Sequence, residues 1–333
     1  METKLQLFRM NHDLSNDSFK TINNVCTPEL CIQNFKNGIE TTIFLDTNII
    51  SNIRKFTFKE QSLDSRVCFI IEQIVEIFSK LLNVYISPGL AFYESCDALK
   101  EKNIMAFNIF LEQYLPKYVD AYNSLDYQPL QKQESFYLLH DWASIFLIQY
   151  VRNKYSHLSP LEKFKKFLDL VQEHLSFIDG LICEIAKYSF ADTNKLSETH
   201  KKIIRNFIKS GDMKKQSLNA AYDLIFIQVI AMSNNKKLSD AYFGKIDSWG
   251  LTADQGIIEL AKLISFSNKG LFVCADLNES EKLRDYLDEC YIHYNLVMLQ
   301  RYSNTITQQK NFDIDNIINK SENLILKLEN AAI

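Results

Sequence analysis

The stretch Thr42–Ser51, "TIFLDTNIIS", decides the fold, because an apolar run ends there on an acidic residue. β-Branched and aromatic residues fill Thr41–Leu45, which is typical of a buried strand. Asp46 follows at once, and Thr47 and Asn48 separate it from the next apolar pair. An acid in this place is either the N-cap of a following helix or a chemical group displayed at a strand end. The rest of the chain has to favour one of these interpretations.

The composition is that of a folded protein with a large core. Apolar residues make up 47% of the 333 residues and charged residues 23%. The 8 glycines and 5 prolines are few for this length, which predicts long regular elements, mostly helices. A net charge of −4 argues against a generally basic nucleic-acid binder but is compatible with a local basic patch.

Cysteines and hydropathy bear on the location of the protein. The seven cysteines are scattered and include no C-x-x-C pair, which predicts free thiols in a reducing compartment, without a disulfide frame or a zinc site. The N-terminus carries no signal-like apolar segment, and no run approaches the roughly 20 apolar residues that span a bilayer. We therefore expect a cytoplasmic protein that does not enter a membrane.

Predicted strands alternate with helices along much of the chain. Strands are predicted at 41–45 and 83–87, and two later segments, 248–265 and 269–289, each begin with a strand-like run and continue as a helix. Because helices separate the strands, the sheet should be mostly parallel in an α/β fold.

Helical periodicity dominates the middle of the chain. Four segments follow from these patterns: an N-terminal extension (1–39), an α/β core (40–96 with 216–295), an all-α insertion (97–215) and a C-terminal helical extension (296–333).

Acidic residues recur where an α/β fold would bring them together, after predicted strands and, at Asp223, at the start of an apolar helix. They are Asp46, Glu94, Asp223 and either Asp254 or Asp276. Clustered carboxylates repel one another, and an oxygen-only cluster is what Mg²⁺ or Mn²⁺ requires. Each acid alone is explained as a helix N-cap. The coincidence of four or five acids at one sheet edge favours a metal site.

Four segments resemble the motifs of the PIN-domain nucleases. "TIFLDTNIIS" is similar to the first motif, "VYISPGLAFYE" to the second, "AAYDLIFIQVIA" to the third and "WGLTADQGI" to the fourth. The resemblance implies a three-layer α/β/α sandwich around a parallel sheet. It also implies cleavage of RNA, or less often DNA, with a divalent metal held by the acids.

Position by position, the resemblance implies metal ligands at Asp46, Glu94, Asp223 and Asp254. Asn48 would hold the first acid or a metal-bound water, and Thr252 would support the last acid. The segment "LTADQGIIELAKLISFSNKGLFVCAD" leaves one alternative open, in which Asp254 and Asp276 supply the third and fourth acids. The long helical insertion and both terminal extensions depart from compact family members.

Basic residues cluster within the insertion, immediately before Asp223. They are Lys201, Lys202, Arg205, Lys209, Lys214 and Lys215. Recurrence at three- and four-residue spacing places several of them on one helix face, which suits a nucleic-acid backbone. A solvated helix face explains each cluster equally simply.

A second short pattern lies in "VRNKYSH", where Arg152, Asn153 and His157 resemble the R-N-x-x-x-H motif of HEPN-type ribonucleases. In such a site the His would act as acid or base and the Arg would steady a phosphate, without metal. The simpler interpretation, which we favour, is a chance match in which His157 caps a helix before "LSPLEK".

The sequence thus predicts a metal-dependent endonuclease, with RNA as the first expected substrate and Mg²⁺ or Mn²⁺ as the cofactor. A catalytically inactive PIN-like scaffold that binds RNA or protein is the alternative. A helical partner-binding module in which the acids are only helix caps is a third interpretation. An inhibitor protein or a second copy of the chain stays open as a partner, and so does a toxin, defence or RNA-processing role.

Overall fold

The computed structural model describes residues 4–13, 18–22, 26–60, 64–95, 97–119, 132–175, 177, 179–207, 211–234, 245–267, 272–274, 281–308 and 313–331. The strands in these ranges are β1 (Gln6–Asp13), β2 (Ser18–Ile22), β3 (Glu40–Leu45), β4 (Val84–Ser87), β5 (Ile246–Thr252), β6 (Ile264–Ser267) and β7 (Phe272–Cys274).

The α-helices in the same ranges are α1 (Pro28–Lys36), α2 (Thr47–Thr57), α3 (Ser65–Lys80), α4 (Gly89–Glu94), α5 (Asp97–Tyr114), α6 (Lys132–Lys154), α7 (Pro160–His174), α8 (Gly180–Phe190), α9 (Glu198–Phe207), α10 (Met213–Ser233), α11 (Gln255–Leu263), α12 (Glu281–Gln308) and α13 (Ile314–Ala331). Short 3₁₀ turns lie at Pro116–Tyr118 and Thr193–Lys195.

The chain divides into two compact units. The first contains residues 1–129 and 226–264, and the second contains residues 130–225 and 265–333. The division therefore falls within α10, and it differs from the predicted boundaries. The predicted α/β class agrees with the structure, which combines a sheet with many helices.

The sheet of the first unit has the strand order β4-β3-β5-β1-β2. β3 pairs in parallel with β4 and with β5, as the sequence predicts, whereas β1 pairs antiparallel with β5 and with β2. β3 and β5 are buried along nearly their whole length, which is typical of central parallel strands covered on both faces. The shorter β4 alternates between buried and half-buried residues.

The N-terminal segment is part of this sheet and is not a polar extension on its surface. Leu5, Phe8 and Met10 are buried with the sheet, and β1 lies directly beside β5. The neighbours of β5 pack tightly against it at Gly250, where an added Cβ would lie 2.5 Å from both the Phe8 ring and Ile230. Only a residue without a side chain fits there without displacing its neighbours.

The first unit also takes in α5, which the sequence assigns to the helical insertion. Phe107, Phe110 and Leu111 of α5 join the core that includes Ile43, Leu45 and the apolar faces of α2 and α3. α5 packs against α2, the helix that begins immediately after Asp46. The apolar face of α5 thus fixes the helix that carries Asn48.

The second unit is built mainly from helices. α13 packs on α6, α12 packs on α7, and α6, α7 and α8 contact one another. The short strands β6 and β7 pair with each other. No strand occurs among the described residues between 97 and 215, so the predicted helical character of that interval is confirmed there. None of the helices in the described ranges is long and apolar enough to cross a membrane.

Candidate active site at the carboxyl edge of the sheet

The carboxyl ends of β3 and β5 meet at one edge of the sheet, and polar residues follow both strands. Asp46 comes directly after β3, and its N–H donates to the Leu251 carbonyl at 3.1 Å. Thr252 ends β5 and Asp254 follows two residues later. The parallel pairing of β3 with β5 therefore brings these groups together, as the sequence predicts.

The Asp46 carboxylate is buried, with 7% of the residue exposed. The Asn48 amide and the Thr252 hydroxyl both donate to its Oδ2 atom, the latter at 2.5 Å. Asp46 occupies the N-cap position of α2, but its side chain makes no capping hydrogen bond to the first turn. The carboxylate is thus held by side chains of two elements, in addition to the backbone amides at the start of α2 that act on it.

The surroundings of Asp46 raise its pKa to about 6. Burial is the largest cause, and the negative charge of Asp254 adds to it, while the hydrogen bond from Thr252 lowers the pKa in part. The backbone amides of Thr47 and Asn48 also act to lower it. Asp46 and Asp254 are therefore close enough to repel one another.

Thr252 connects the two acids. Its hydroxyl donates to Asp46 and accepts the backbone N–H of Asp254 at 2.9 Å. Asp254 Oδ1 in turn accepts the Gly256 N–H at 2.7 Å, so this acid does cap the start of α11. Asn48 joins the same group, since its Oδ1 accepts the Ala253 N–H at 3.3 Å. The support that the sequence assigns to Thr252 reaches both acids.

Glu94 ends α4, the helix that follows β4. The Thr47 hydroxyl donates to Glu94 Oε2. Thr47 lies next to Asp46 in the chain, so this hydrogen bond places Glu94 beside the start of α2. The pattern D-T-N thus supplies three contributors: an acid, a hydroxyl that holds a second acid, and an amide that holds the first.

A buried hydrogen-bond chain supports the end of α4 from behind. Arg54 on α2 donates to Asn103 Oδ1 at 3.1 Å, and Asn103 donates to the Ser95 hydroxyl at 2.7 Å. Ser95 donates to the Ala91 carbonyl within α4 at 2.8 Å. Arg54 also pairs with Glu60 at 3.1 Å. These positioning residues escaped the sequence analysis because nothing in their local sequence links positions so far apart.

Two further predicted acids stay predictions. Asp223 is half-buried on α10 within the second unit, and its assignment as a metal ligand stays a prediction. Asp276 lies outside the described residues. In the described part of the chain, no group of three or more His, Cys, Asp and Glu side chains is arranged to hold a metal ion.

The predicted basic residues belong to the second unit. Lys201 pairs with Glu198 at 2.8 Å, and Lys214 pairs with Glu329 at 2.7 Å. Lys202, Arg205 and Lys215 are exposed, while Lys209 lies outside the described residues. A role of these side chains in binding nucleic acid stays a prediction.

The R-N-x-x-x-H pattern does not assemble as one helical face. α6 ends at Lys154, so Arg152 lies on the helix while exposed His157 lies in the following turn. Arg152 donates to the Ser189 carbonyl at 3.5 Å, and Asn153 donates to Met213 Sδ at 3.0 Å. The following helix, α7, begins with a capping box that Ser159 forms with Glu162.

No family model, no curated protein and no solved structure matches this chain. The proposal that follows therefore depends on the geometry at the carboxyl edge of the sheet and on the resemblance of the motifs.

Proposed function

We propose that this protein is a metal-dependent endonuclease that hydrolyses RNA at the carboxyl edge of the sheet. The observation that carries the proposal is the buried Asp46 carboxylate, which neutral donors hold beside a second acid. A buried carboxylate with a like-charged neighbour destabilises the fold unless a cation compensates it. Strongly perturbed acids of this kind concentrate at functional sites.

The donor set fits a divalent cation of the Mg²⁺ type. All the groups are oxygen donors, and Mg²⁺ commonly takes one or two carboxylates while substrate phosphates and water complete its shell. Asp46 and Asp254 meet that need without a cage of three acids. Glu94 would supply a further carboxylate beside this pair, where the Thr47 hydroxyl holds it.

The residues of the chain have separate tasks in this proposal. Asn48 and Thr252 fix the Asp46 carboxylate, and the cap at α11 fixes Asp254. When bound, Mg²⁺ or Mn²⁺ would activate a water for attack on the phosphodiester and stabilise the leaving oxygen. Asp46 must be ionised to bind a cation, so the activity should rise with pH through about 6.

The test is cleavage of a single-stranded RNA by the full chain in Mn²⁺. Asp46→Asn should lower the rate by at least ~100-fold, because a charge at the reaction centre is lost. Glu76→Gln is the matched control, since Glu76 is an acid on the surface of the same unit, paired with Lys80. Cleavage that survives Asp46→Asn would exclude the proposal.

An inactive scaffold is the competing function. It would bind RNA or a protein partner without metal-dependent cleavage, and Asp46→Asn would leave that binding unchanged. Cleavage that persists in chelator and disappears in His157→Ala would instead assign activity to the second unit. The cytoplasmic location and the substrate preference for RNA over DNA belong to the same proposal, and assays with matched RNA and DNA strands test the latter.

A further inference from the structure

Two thiols lie close together at the edge of the sheet opposite Asp46. Cys26 Sγ and Cys31 Sγ are 3.7 Å apart, and the residues are 7% and 0% exposed. Both belong to the first unit, beside the start of β3, where α1 packs. Neither thiol has a task in the proposed nuclease site, which follows the end of β3.

The start of α1 sets this approach. Thr27 is the N-cap, and its hydroxyl accepts the Leu30 N–H at 3.2 Å, while Pro28 opens the first turn. Cys26 precedes the cap and Cys31 lies one turn into the helix. Side chains at these two positions often pack against each other at the start of a capped helix. The cap at Thr27 thus favours the approach of the two thiols.

The two thiols are also chemically unequal. Their shared hydrogen bond lowers the pKa of Cys31 and raises the pKa of Cys26. Arg9 acts to lower the pKa of Cys26, and Asp247 acts to raise the pKa of both. One member of the pair is therefore disposed to form a thiolate while the other keeps its proton. A nucleophilic thiol beside a second, resolving thiol is the arrangement of redox-sensitive pairs.

We propose that Cys26 and Cys31 form an oxidation site that closes to a disulfide in the presence of hydrogen peroxide. The Cys31 thiolate attacks one peroxide oxygen, the O–O bond breaks, and the leaving hydroxide takes up a proton to become water. The Cys26 sulfur then attacks the Cys31 sulfenic sulfur, and the S–O bond breaks. The Cys26 proton leaves with that hydroxyl as a second water, so two thiols reduce one peroxide.

The geometry requires only a small movement. The sulfurs must close from 3.7 Å to about 2.05 Å to form the bond. Cys26 is the less buried of the two residues, 7% exposed against 0% for Cys31. The half-buried Cys68 is the natural comparison, because it is more accessible and lies outside this pair.

The experiment uses the full chain and peptide mass spectrometry. The native protein is treated with hydrogen peroxide, quenched, alkylated under denaturing conditions and digested with trypsin. The tryptic peptide Thr21–Lys36 contains Cys26 and Cys31 and no other cysteine. We expect this peptide to escape alkylation and to weigh about 2 Da less than its reduced form, because two hydrogens are lost. Reduction before alkylation should restore two alkyl groups.

Two results would overturn the proposal. In the first, the peptide still takes up two alkyl groups after a peroxide dose that oxidises Cys68. In the second, one cysteine is over-oxidised while the other is alkylated. The wild-type chain is itself the assay, so the outcome does not depend on the folding of a variant. It is also independent of nuclease activity, which Asp46→Asn tests separately.

Discussion

Two buried carboxylates lie at opposite ends of the parallel strands, and the groups that surround them differ in charge. Asp247, at the start of β5, is 3% exposed; it pairs with Arg9 at 2.9 Å and accepts hydrogen bonds from Asn34 at 2.7 Å and Trp249 at 3.1 Å. Asp46, after β3, is 7% exposed, and in the described residues its hydrogen-bond donors are neutral while another acid stands nearby.

This difference is the one expected between an acid that supports the fold and, under the proposed function, an acid that binds a metal ion. A buried carboxylate that only supports the fold is stabilised by a cation and by several donors, as Asp247 is. Asp46 retains excess negative charge at the place where an α/β sheet displays its ligands. The fold therefore tolerates a local cost at one edge that it avoids at the other. The predictions that follow are ways to test that contrast.

The largest effect on the free energy of unfolding is expected at Asp247, at the start of β5. Asp247→Asn should lower the free energy of unfolding by about 3 kcal/mol, because Arg9 then loses its partner in a mostly buried site. Urea unfolding at pH 7 in chelator measures this change. Trp249 fluorescence reports on the first unit if Trp142, the other of the 2 tryptophans, is replaced by Phe in both chains. A loss below roughly 1 kcal/mol would contradict the structural role.

A change of the opposite sign in the free energy of unfolding is expected at Asp46, at the carboxyl edge of the sheet. A rise in pKa from 3.8 to about 6 corresponds to roughly 3 kcal/mol of destabilisation when Asp46 is ionised. Asp46→Asn should therefore stabilise the metal-free protein at pH 7 by about 1–2 kcal/mol, since the new amide loses part of the gain.

The pH dependence of the free energy of unfolding independently checks the sign of this effect. The folded-state pKa of Asp46 lies above the unfolded value, so wild-type stability should fall as pH rises from about 4 to above 6. Asp46→Asn should lack this component of the pH dependence. Equal pH dependence of stability in the wild type and Asp46→Asn, measured by urea unfolding in chelator, would show that burial does not raise the pKa of Asp46.

A smaller effect is expected at Thr252. Thr252→Val removes the hydroxyl that donates to Asp46, and the pKa of Asp46 should rise further by about one unit. The midpoint pH of Mn²⁺-dependent cleavage should move upward by the same amount, whereas Thr252→Ser should leave it near the wild-type value. An unchanged midpoint in Thr252→Val would place the titrating group elsewhere.

The smallest effect on cleavage is expected for the hydrogen bonds of Ser95, which support the end of α4 next to Glu94. Ser95→Ala breaks the chain from Arg54 through Asn103 to the end of α4. Both hydrogen bonds of the Ser95 hydroxyl are lost, and we expect cleavage in Mn²⁺ to fall about threefold, which corresponds to about 0.7 kcal/mol. Ser95→Thr keeps the hydroxyl and is the matched control. A loss in both variants would indicate a general packing defect.

The sequence predicts the strands that carry the site because their composition is distinctive. β3 and β4 are short runs rich in β-branched and aromatic residues, β5 contains the strand-like run that begins at Ser248, and their parallel pairing follows from the helices between them. Asp46, Asn48 and Thr252 are found together as expected, because the ends of neighbouring parallel strands meet.

Other features depend on tertiary packing and carry no local signal. β1 alternates weakly in a polar context, so its place beside β5 follows only from the burial of Phe8 and Met10. α5 has the same periodicity as the helices of the insertion, and only its contact with α2 assigns it to the first unit. The hydrogen bond from Thr47 to Glu94 likewise joins residues far apart in the chain.

Mn²⁺ binding to the full chain shows directly whether Asp46 holds a metal ion. Titration at pH 7, followed by the electron paramagnetic resonance signal of free Mn²⁺, compares the wild type with Asp46→Asn and with the surface control Glu76→Gln. We expect binding in the wild type and in Glu76→Gln, and a loss of at least ~10-fold in affinity in Asp46→Asn. Equal affinity in all three chains would show that the buried acid at the end of β3 does not hold a metal.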